Sequence, residues 1–337
     1  MLKEHQTHVI ITHKNADPDA IASALIMEKV VGSLTKMKPY LLFPEGLNLI
    51  SKNILSKLSI GLESYEHEQI LKQVNLQKAS LIVVDTSYSK QLGKYSNIVD
   101  KVGKIIVIDH HSNGDLDEKA FLTIKSFNVA STSEIAYIVS RSLNITLPVK
   151  VMQLSLAGIL YDSRHLLLAK PVTFKVISEL IEKGISYHEV IKLLQIKPTI
   201  AERIARIKAS LRSKYYRVND IIIGITYVGA YEASVARSLI ELGLDIVFVI
   251  GDHNDEIRVI ARASSTITDD LGIHVSNDIL SKLSQYYKGS GGGHPGAGGF
   301  NILSRVELEE LKEKLIKLTL EVLRSKGVVG QLVEIKD

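Results

Sequence analysis

Lys104-Ile105-Ile106-Val107-Ile108-Asp109-His110-His111-Ser112 carries four β-branched residues in a row and closes on one acid and two imidazoles. The apolar run has the pattern of a strand buried on both faces of a parallel sheet. Aspartate and histidine do not belong in such an interior, so they mark where the strand leaves it. In open α/β sheets, ligands bind outside the carboxyl ends of the strands. Taken alone, the triplet reads equally as a solvated strand end or as a site, and the neighbouring segments decide between the two.

Upstream, Ser80-Leu81-Ile82-Val83-Val84-Asp85 repeats the pattern, again ending in an acid. Near the start, His8-Val9-Ile10-Ile11-Thr12 runs into His13-Lys14-Asn15-Ala16-Asp17-Pro18-Asp19. Helical spacing over 20–31 makes that segment a strand-to-helix turn, with Pro18 in the first helical turn and Asp17 extended before it. Asp17 suits an N-cap; an N-cap accounts for one acid, not for Asp19 and His13 beside it. A strand at 39–43 and a short helix at 50–58 complete an alternation that predicts a doubly wound, mainly parallel sheet. Three strand ends, at His13, Asp85 and Asp109, then converge on one edge. Downstream, Ser131-Thr132-Ser133-Glu134 has capping-box spacing and opens a helix whose first amides could also assist a phosphate. An apolar helix at 151–160 delivers Asp162, a fourth acid, with His165 close behind.

The character changes between 185 and 217. Lys192, Lys197, Arg203, Arg206, Lys208, Arg212, Lys214 and Arg217 face only Glu189 and Glu202 among acids. Ile200, Ile204, Ile207 and Leu211 form one apolar stripe, which predicts a helix buried along that stripe with its basic groups outward. A solvated face is the ordinary use of such a run; beside a phosphate site it would track a nucleic-acid backbone. Strands at 220–227, 245–250 and 257–263 and a helix at 234–242 form a second α/β region, with Arg262 and Ser264 at a strand end. Then comes Gly289-Ser290-Gly291-Gly292-Gly293-His294-Pro295-Gly296-Ala297-Gly298-Gly299. This run predicts a loop whose glycine amides nest an anion beside an imidazole, before a strand at 300–303 and a helix at 305–326. The expected division is 1–190, a basic helical connector 191–217, and a smaller domain 218–337.

The 337 residues suit two domains, and the absence of cysteine excludes disulfides, thiolate metal sites and a cysteine nucleophile. The formal net charge of +4 permits a phosphate-bearing partner without demanding one. No apolar signal core or membrane-length stretch is present, so a soluble cytoplasmic protein is expected.

His13, Asp17, Asp19, Asp85, His110 and Asp162 supply four carboxylates and two imidazoles. That donor set suits manganese or magnesium and argues against structural zinc. It exceeds what one open catalytic ion needs and suffices for two ions sharing a carboxylate, for which Asp85, alone on its strand, is best placed. Two ions about 3.5–4 Å apart can hold a hydroxide for attack on phosphorus and neutralise the departing oxygen. No Gly-x-Ser-x-Gly elbow, His-Glu-x-x-His helix or Walker-type loop offers another route.

These motifs resemble the DHH phosphoesterases that carry a C-terminal DHHA1 domain. His13-Lys14-Asn15-Ala16-Asp17-Pro18-Asp19, Asp85, Asp109-His110-His111 and Asp162 match its four motifs in order, and Gly291-Gly292-Gly293-His294 with Arg262 matches the second domain. Ala16 stands where proline is frequent and Gly298 where alanine is; neither removes a ligand. The resemblance implies that His13 and Asp17 hold one manganese, Asp19, His110 and Asp162 the other, and that Asp85 bridges them. It further implies that Asp109 orients the ligands, and that His111, Arg262, Ser264, Gly292, Gly293 and His294 take substrate. The two-domain size is similar to the nanoRNase/pAp-phosphatase branch and to archaeal RecJ-like exonucleases. Expected substrates are therefore short oligonucleotides, single-stranded DNA or RNA, or small nucleotides, with a homodimer allowed. Alternatives are a phosphomonoesterase on pAp-like nucleotides, a cyclic-dinucleotide phosphodiesterase, and an inactive DNA-binding replication scaffold.

Overall fold

A computed structural model describes residues 2, 5, 7–62, 74–195, 197–253 and 256–336. The chain divides into two compact units, Met1–Ile196 and Lys197–Asp337.

The first unit is built on a five-stranded, all-parallel sheet of β1 (Thr7–Ile11), β2 (Tyr40–Leu42), β3 (Ala79–Val84), β4 (Lys104–Asp109) and β5 (Leu122–Lys125), in the order 2-1-3-4-5. Alternation along each strand explains the unbroken apolar runs. Ile10, Ile82, Val84, Ile106 and Ile108 join the core on one face; Val9, Ile11, Leu81, Val83, Ile105 and Val107 join the core on the other. The first face is covered by α1 (Pro18–Thr35), α4 (Thr132–Ser142) and α5 (Val149–Asp162). Helices α2 (Leu49–Lys57), α3 (Asp115–Lys119), α6 (Pro171–Glu182) and α7 (Tyr187–Leu194) complete the unit. The order reverses between β1 and β3, and a crevice opens at the carboxyl ends of two strands whose connections leave in opposite directions. His13 and Asp85 follow those two strands.

The second unit carries a seven-stranded mixed sheet: β6 (Lys214–Val218), β7 (Ile221–Val228), β8 (Ile246–His253), β9 (Glu256–Ala263), β10 (Gly289–His294), β11 (Ala297–Ile302) and β12 (Val333–Ile335), in the order 10-11-9-8-7-6-12. Only β7 and β8 pair in parallel. Helix α10 (Leu308–Ser325) packs Leu311, Leu315 and Val322 into the core of Phe248, Ile250 and Val259, and α9 (Glu232–Glu241) covers Val247 and Val249 on the other side.

Two expectations are corrected here. The glycine run is not a loop: Gly289–His294 is the edge strand of a hairpin, paired antiparallel with β11. A Cβ on Gly291 would lie 2.3 Å from the Gly299 carbonyl oxygen, and one on Gly293 2.3 Å from that of Ala297. These glycines therefore serve close strand approach. The basic helix α8 (Ile200–Arg212) is also turned from its expected face. It seats on the sheet through buried Ala209 and half-buried Ala205, with the Thr226 hydroxyl donating to the Ala209 carbonyl at 2.9 Å. Ile200, Ile204, Ile207 and Leu211 stay exposed, the last at 82%. Alanine lets helix and sheet approach more closely than isoleucine would. The stretch 191–217 falls on both sides of the division between the units. Among the described residues, no helix is long and apolar enough to cross a membrane.

Candidate metal centre

Each side chain at the crevice is placed by the end of an element. Asp17 caps α1, one oxygen accepting from the amides of Asp19 and Ala20 at 3.0 Å each. Asp85 leaves β3 with φ +64, a left-handed conformation that aspartate tolerates better than most residues. His110 and His111 follow β4, and Asp162 is the last residue of α5.

Two groups of donors result. His13, Asp17 and Asp85 form one; Asp85, His110, His111 and Asp162 form the other, and within each the ligand atoms lie within 4.8 Å of one another. Asp85 is common to both, and its oxygens face opposite ways. Oδ2 is 3.6 Å from His13 Nε2, while Oδ1 is 3.8 Å from both His110 Nε2 and His111 Nδ1. His13 Nε2 is also 3.8 Å from Asp17 Oδ2. These separations are too long for hydrogen bonds and suit atoms that face a common cation.

Asp109 lies outside both groups, fully buried, and holds its neighbours in place. Its Oδ2 accepts from the Ser87 hydroxyl at 2.6 Å, and its Oδ1 meets His111 Nδ1 at 2.8 Å. Burial alone would raise this carboxyl, but the bonds from His111 and Ser87 hold it below its ordinary value, while Asp109 raises His111. Asp19 also stands outside the groups. Its two oxygens accept from the amides of Thr132 at 2.7 Å and Ser133 at 2.9 Å, the first residues of α4. Those amides, which the sequence made available to a phosphate, are thus already engaged. Glu134 completes a variant of the expected capping box, accepting from the Ala130 amide, while Ser131 Oγ accepts from the Glu134 amide. His165 is exposed in a left-handed turn with Arg164 and Leu166 and belongs to neither group.

The electrostatics say what the crevice lacks. Burial, then the charges of Asp85, Asp162 and Asp17, raise Asp19 well above the ordinary carboxylate value. Burial likewise raises Asp85. Burial opposes charge on His13, yet Asp17 and Asp85 raise it to about 11. His110 Nε2 is buried with no hydrogen-bond partner, although Asp162 Oδ2 lies 3.0 Å away. Two carboxylates, Asp19 and Asp85, that resist ionisation and an imidazole that retains its proton describe a site short of positive charge. Oxygen and imidazole donors in two groups sharing one carboxylate fit a pair of divalent cations.

In the second unit, strand register aligns three residues. Arg262 pairs with Ala297, and Ala297 with His294, so Arg262 and His294 stand on the same face two strands apart. Burial and the nearby Arg237 hold Arg262 below its ordinary value. Gly292 and Gly293 lie in β10 beside them, whereas the Ser264 hydroxyl donates to Asp245 Oδ1 at 3.0 Å.

Sequence reasoning missed Ser87, the distant partners of Thr132 and Ser133, and Gly158 on α5. A Cβ on Gly158 would come within 2.9 Å of Ser133 Oγ and 3.1 Å of Asp19 Oδ1. Gly158→Ala is therefore expected to displace Asp19, cost about 1–3 kcal/mol of stability and weaken divalent-ion binding. Chemical denaturation and calorimetric metal titration would check both; unchanged values would mean that the helices shift freely.

Comparison with known proteins agrees with this architecture. Residues 7–159 match the DHH family, N-terminal domain, and residues 232–324 the DHHA1 domain. The uncharacterized protein MJ0988 of Methanocaldococcus jannaschii is 31% identical over 316 residues, covering 93% of this chain and 92% of that one. MJ1633 of the same organism is 28% identical over 347 residues, covering 98% of this chain and 64% of its own length. Among solved structures, an exopolyphosphatase-related protein from Bacteroides fragilis superimposes with a TM-score of 0.62 at 16% identity, covering 97% of this chain and 94% of that one, a likeness of fold. From both domain matches in sequence order and a relative aligned along nearly its whole length, the chain belongs to the DHH family, whose members are typically metal-dependent phosphoesterases.

Proposed function

We propose that this chain is a manganese-dependent phosphodiesterase that hydrolyses short oligonucleotides or single-stranded nucleic acid, with magnesium as a possible substitute. The observation that carries the reading is Asp85, whose two oxygens face separate donor groups at the switch point of a parallel sheet. His13 and Asp17 would hold one cation and Asp19, His110 and Asp162 the other, with Asp85 facing both and Asp19 also accepting from the amides that open α4. When bound, two such ions neutralise charge on the phosphate and on its leaving oxygen and make water a better nucleophile. Asp109 keeps His111 oriented and favours its charged form, which suits a phosphate oxygen. Arg262 and His294, aligned across the second sheet, offer that unit's own donors to a phosphate-bearing ligand.

The test is a product time course with manganese on dinucleotides, pentamers, long single strands labelled at either end, pAp and a cyclic dinucleotide. Stepwise release of mononucleotides from oligomers is the expected result. Phosphate release from pAp alone would convert the reading to a phosphomonoesterase. Strand binding without turnover of any substrate would make the chain a non-catalytic scaffold.

Helix α8 bears on substrate length. Arg206 is bound into the fold by Ser234 at 2.8 Å and Glu202 at 3.0 Å, and Arg212 lies over the Tyr227 ring. Arg203 and Lys208 are the better candidates for a long strand. Replacing both with Ala is expected to lower the slope of log affinity against log salt by about 1.4 for long single strands, with far less effect on dinucleotide turnover. Equal losses on both substrates would remove α8 from strand binding.

A further inference from the structure

We infer that Thr132 is a positioning residue that sets the rotation of the shared carboxylate, and so decides whether the centre holds two cations as a pair. This rests on the two-cation reading above. Thr132 is fully buried at the start of α4 and joins two acids from different parts of the chain. Its hydroxyl donates to Asp85 Oδ1 at 2.8 Å, and its backbone N–H donates to Asp19 Oδ2 at 2.7 Å. The first bond matters most. Asp85 serves two groups only while Oδ1 faces His110 and Oδ2 faces His13. Rotation about the terminal bond of an aspartate is soft, so without a fixed donor the two oxygens can leave these directions. A hydroxyl donor fixes one oxygen and leaves that oxygen a lone pair for a cation. Threonine suits the task because its branched Cβ restricts χ1, and the amide bond to Asp19 anchors its backbone.

A helix-start role alone would look different, and Ser131 provides the control. Ser131 is the N-cap, its side chain accepting from the Glu134 amide and lying 3.2 Å from Ser133 Oγ, and among the described hydrogen bonds none joins it to Asp85 or Asp19. The experiment loads the full chain with Mn2+ and measures stoichiometry and affinity by calorimetry. Electron paramagnetic resonance distinguishes a spin-coupled manganese pair from isolated ions. Wild type is expected to bind two ions and give the coupled signal. Thr132→Val, which keeps the shape and removes the donor, is expected to bind the second ion about tenfold or more weakly and to give the spectrum of isolated ions. Thr132→Ala, should the valine variant not fold, is expected to do the same. Thr132→Ser should restore the pair, because it restores the donor. Ser131→Ala should melt lower yet retain the coupled signal. A Thr132→Val or Thr132→Ala protein with wild-type affinity and a coupled pair would overturn the inference alone. A wild-type protein that binds no pair would overturn the reading beneath it as well.

Discussion

Asp85→Asn is expected to abolish hydrolysis and reduce manganese binding from two ions to at most one. The substitution is nearly isosteric, and asparagine, like aspartate, accepts the left-handed φ of +64 at this position. The backbone therefore stays in place, and the lost charge carries the effect. That charge is the one both donor groups share, so neither cation retains its full set. With several kcal/mol of transition-state charge stabilisation at stake, kcat should fall by about a thousandfold or more. The Thr132 hydroxyl, now facing an amide, can rotate to accept from it, so the metal-free protein should still fold, although His13 loses part of the attraction that raises it. Measured turnover near the wild-type rate, with two ions still bound, would remove Asp85 from the centre of the mechanism.

The second large effect concerns stability against pH. His13, ordinarily near 6.5, is raised to about 11: burial opposes the charge, and Asp17 and Asp85 overcome that opposition. A group raised in the folded state contributes stability that is complete below its unfolded value and is lost as pH climbs through the folded one. For His13 that window runs from 6.5 to about 11. Burial raises Asp19 and Asp85 above 3.8, so their contribution also declines as pH rises past that value. The metal-free protein is thus expected to melt at progressively lower temperature from about pH 5 to about pH 9. Cations reverse the trend, because they displace the His13 proton and require ionised carboxylates. At a hundredfold excess over Kd, one ion adds about 2.7 kcal/mol, and the gain should grow with pH. Calorimetric melting with chelator and with Mn2+ across this range tests both halves. A chelated protein that gains stability through neutral pH would contradict the charge balance described for the crevice.

What the sequence made legible follows from what each residue can do locally. Apolar runs ending in Asp85, Asp109 and His110 announced buried strands and a functional edge, because no interior accepts those side chains unpaired. The parallel sheet followed from alternation with helices. Strand β5, half-exposed and four residues long, left no comparable pattern. Strand β10 was hidden for a different reason: glycine has no strand preference, and its pairing depends on the approach of β11. The stripe on α8 misled because periodicity names an apolar face without saying which face the sheet can reach. At the site, donor types were legible and the hydrogen bonds that hold them were not. Asp19 looks like any other acid in its motif, and only the folded chain shows each of its oxygens accepting an amide of α4. Ser87 and Thr132 act through bonds spanning 22 and 47 residues, which spacing cannot reveal.

The glycine-lined margin of the second sheet carries a hazard for protein engineering. An unpaired edge strand is a template for another chain, and a run with little β-propensity is a poor recruit for cross-β stacking. A Cβ at Gly292 meets nothing within 4 Å, so the side chain of Gly292→Val starts into open space. The substitution would also add a branched apolar group to the open border, so such a variant should precipitate on concentration while its secondary structure stays unaltered.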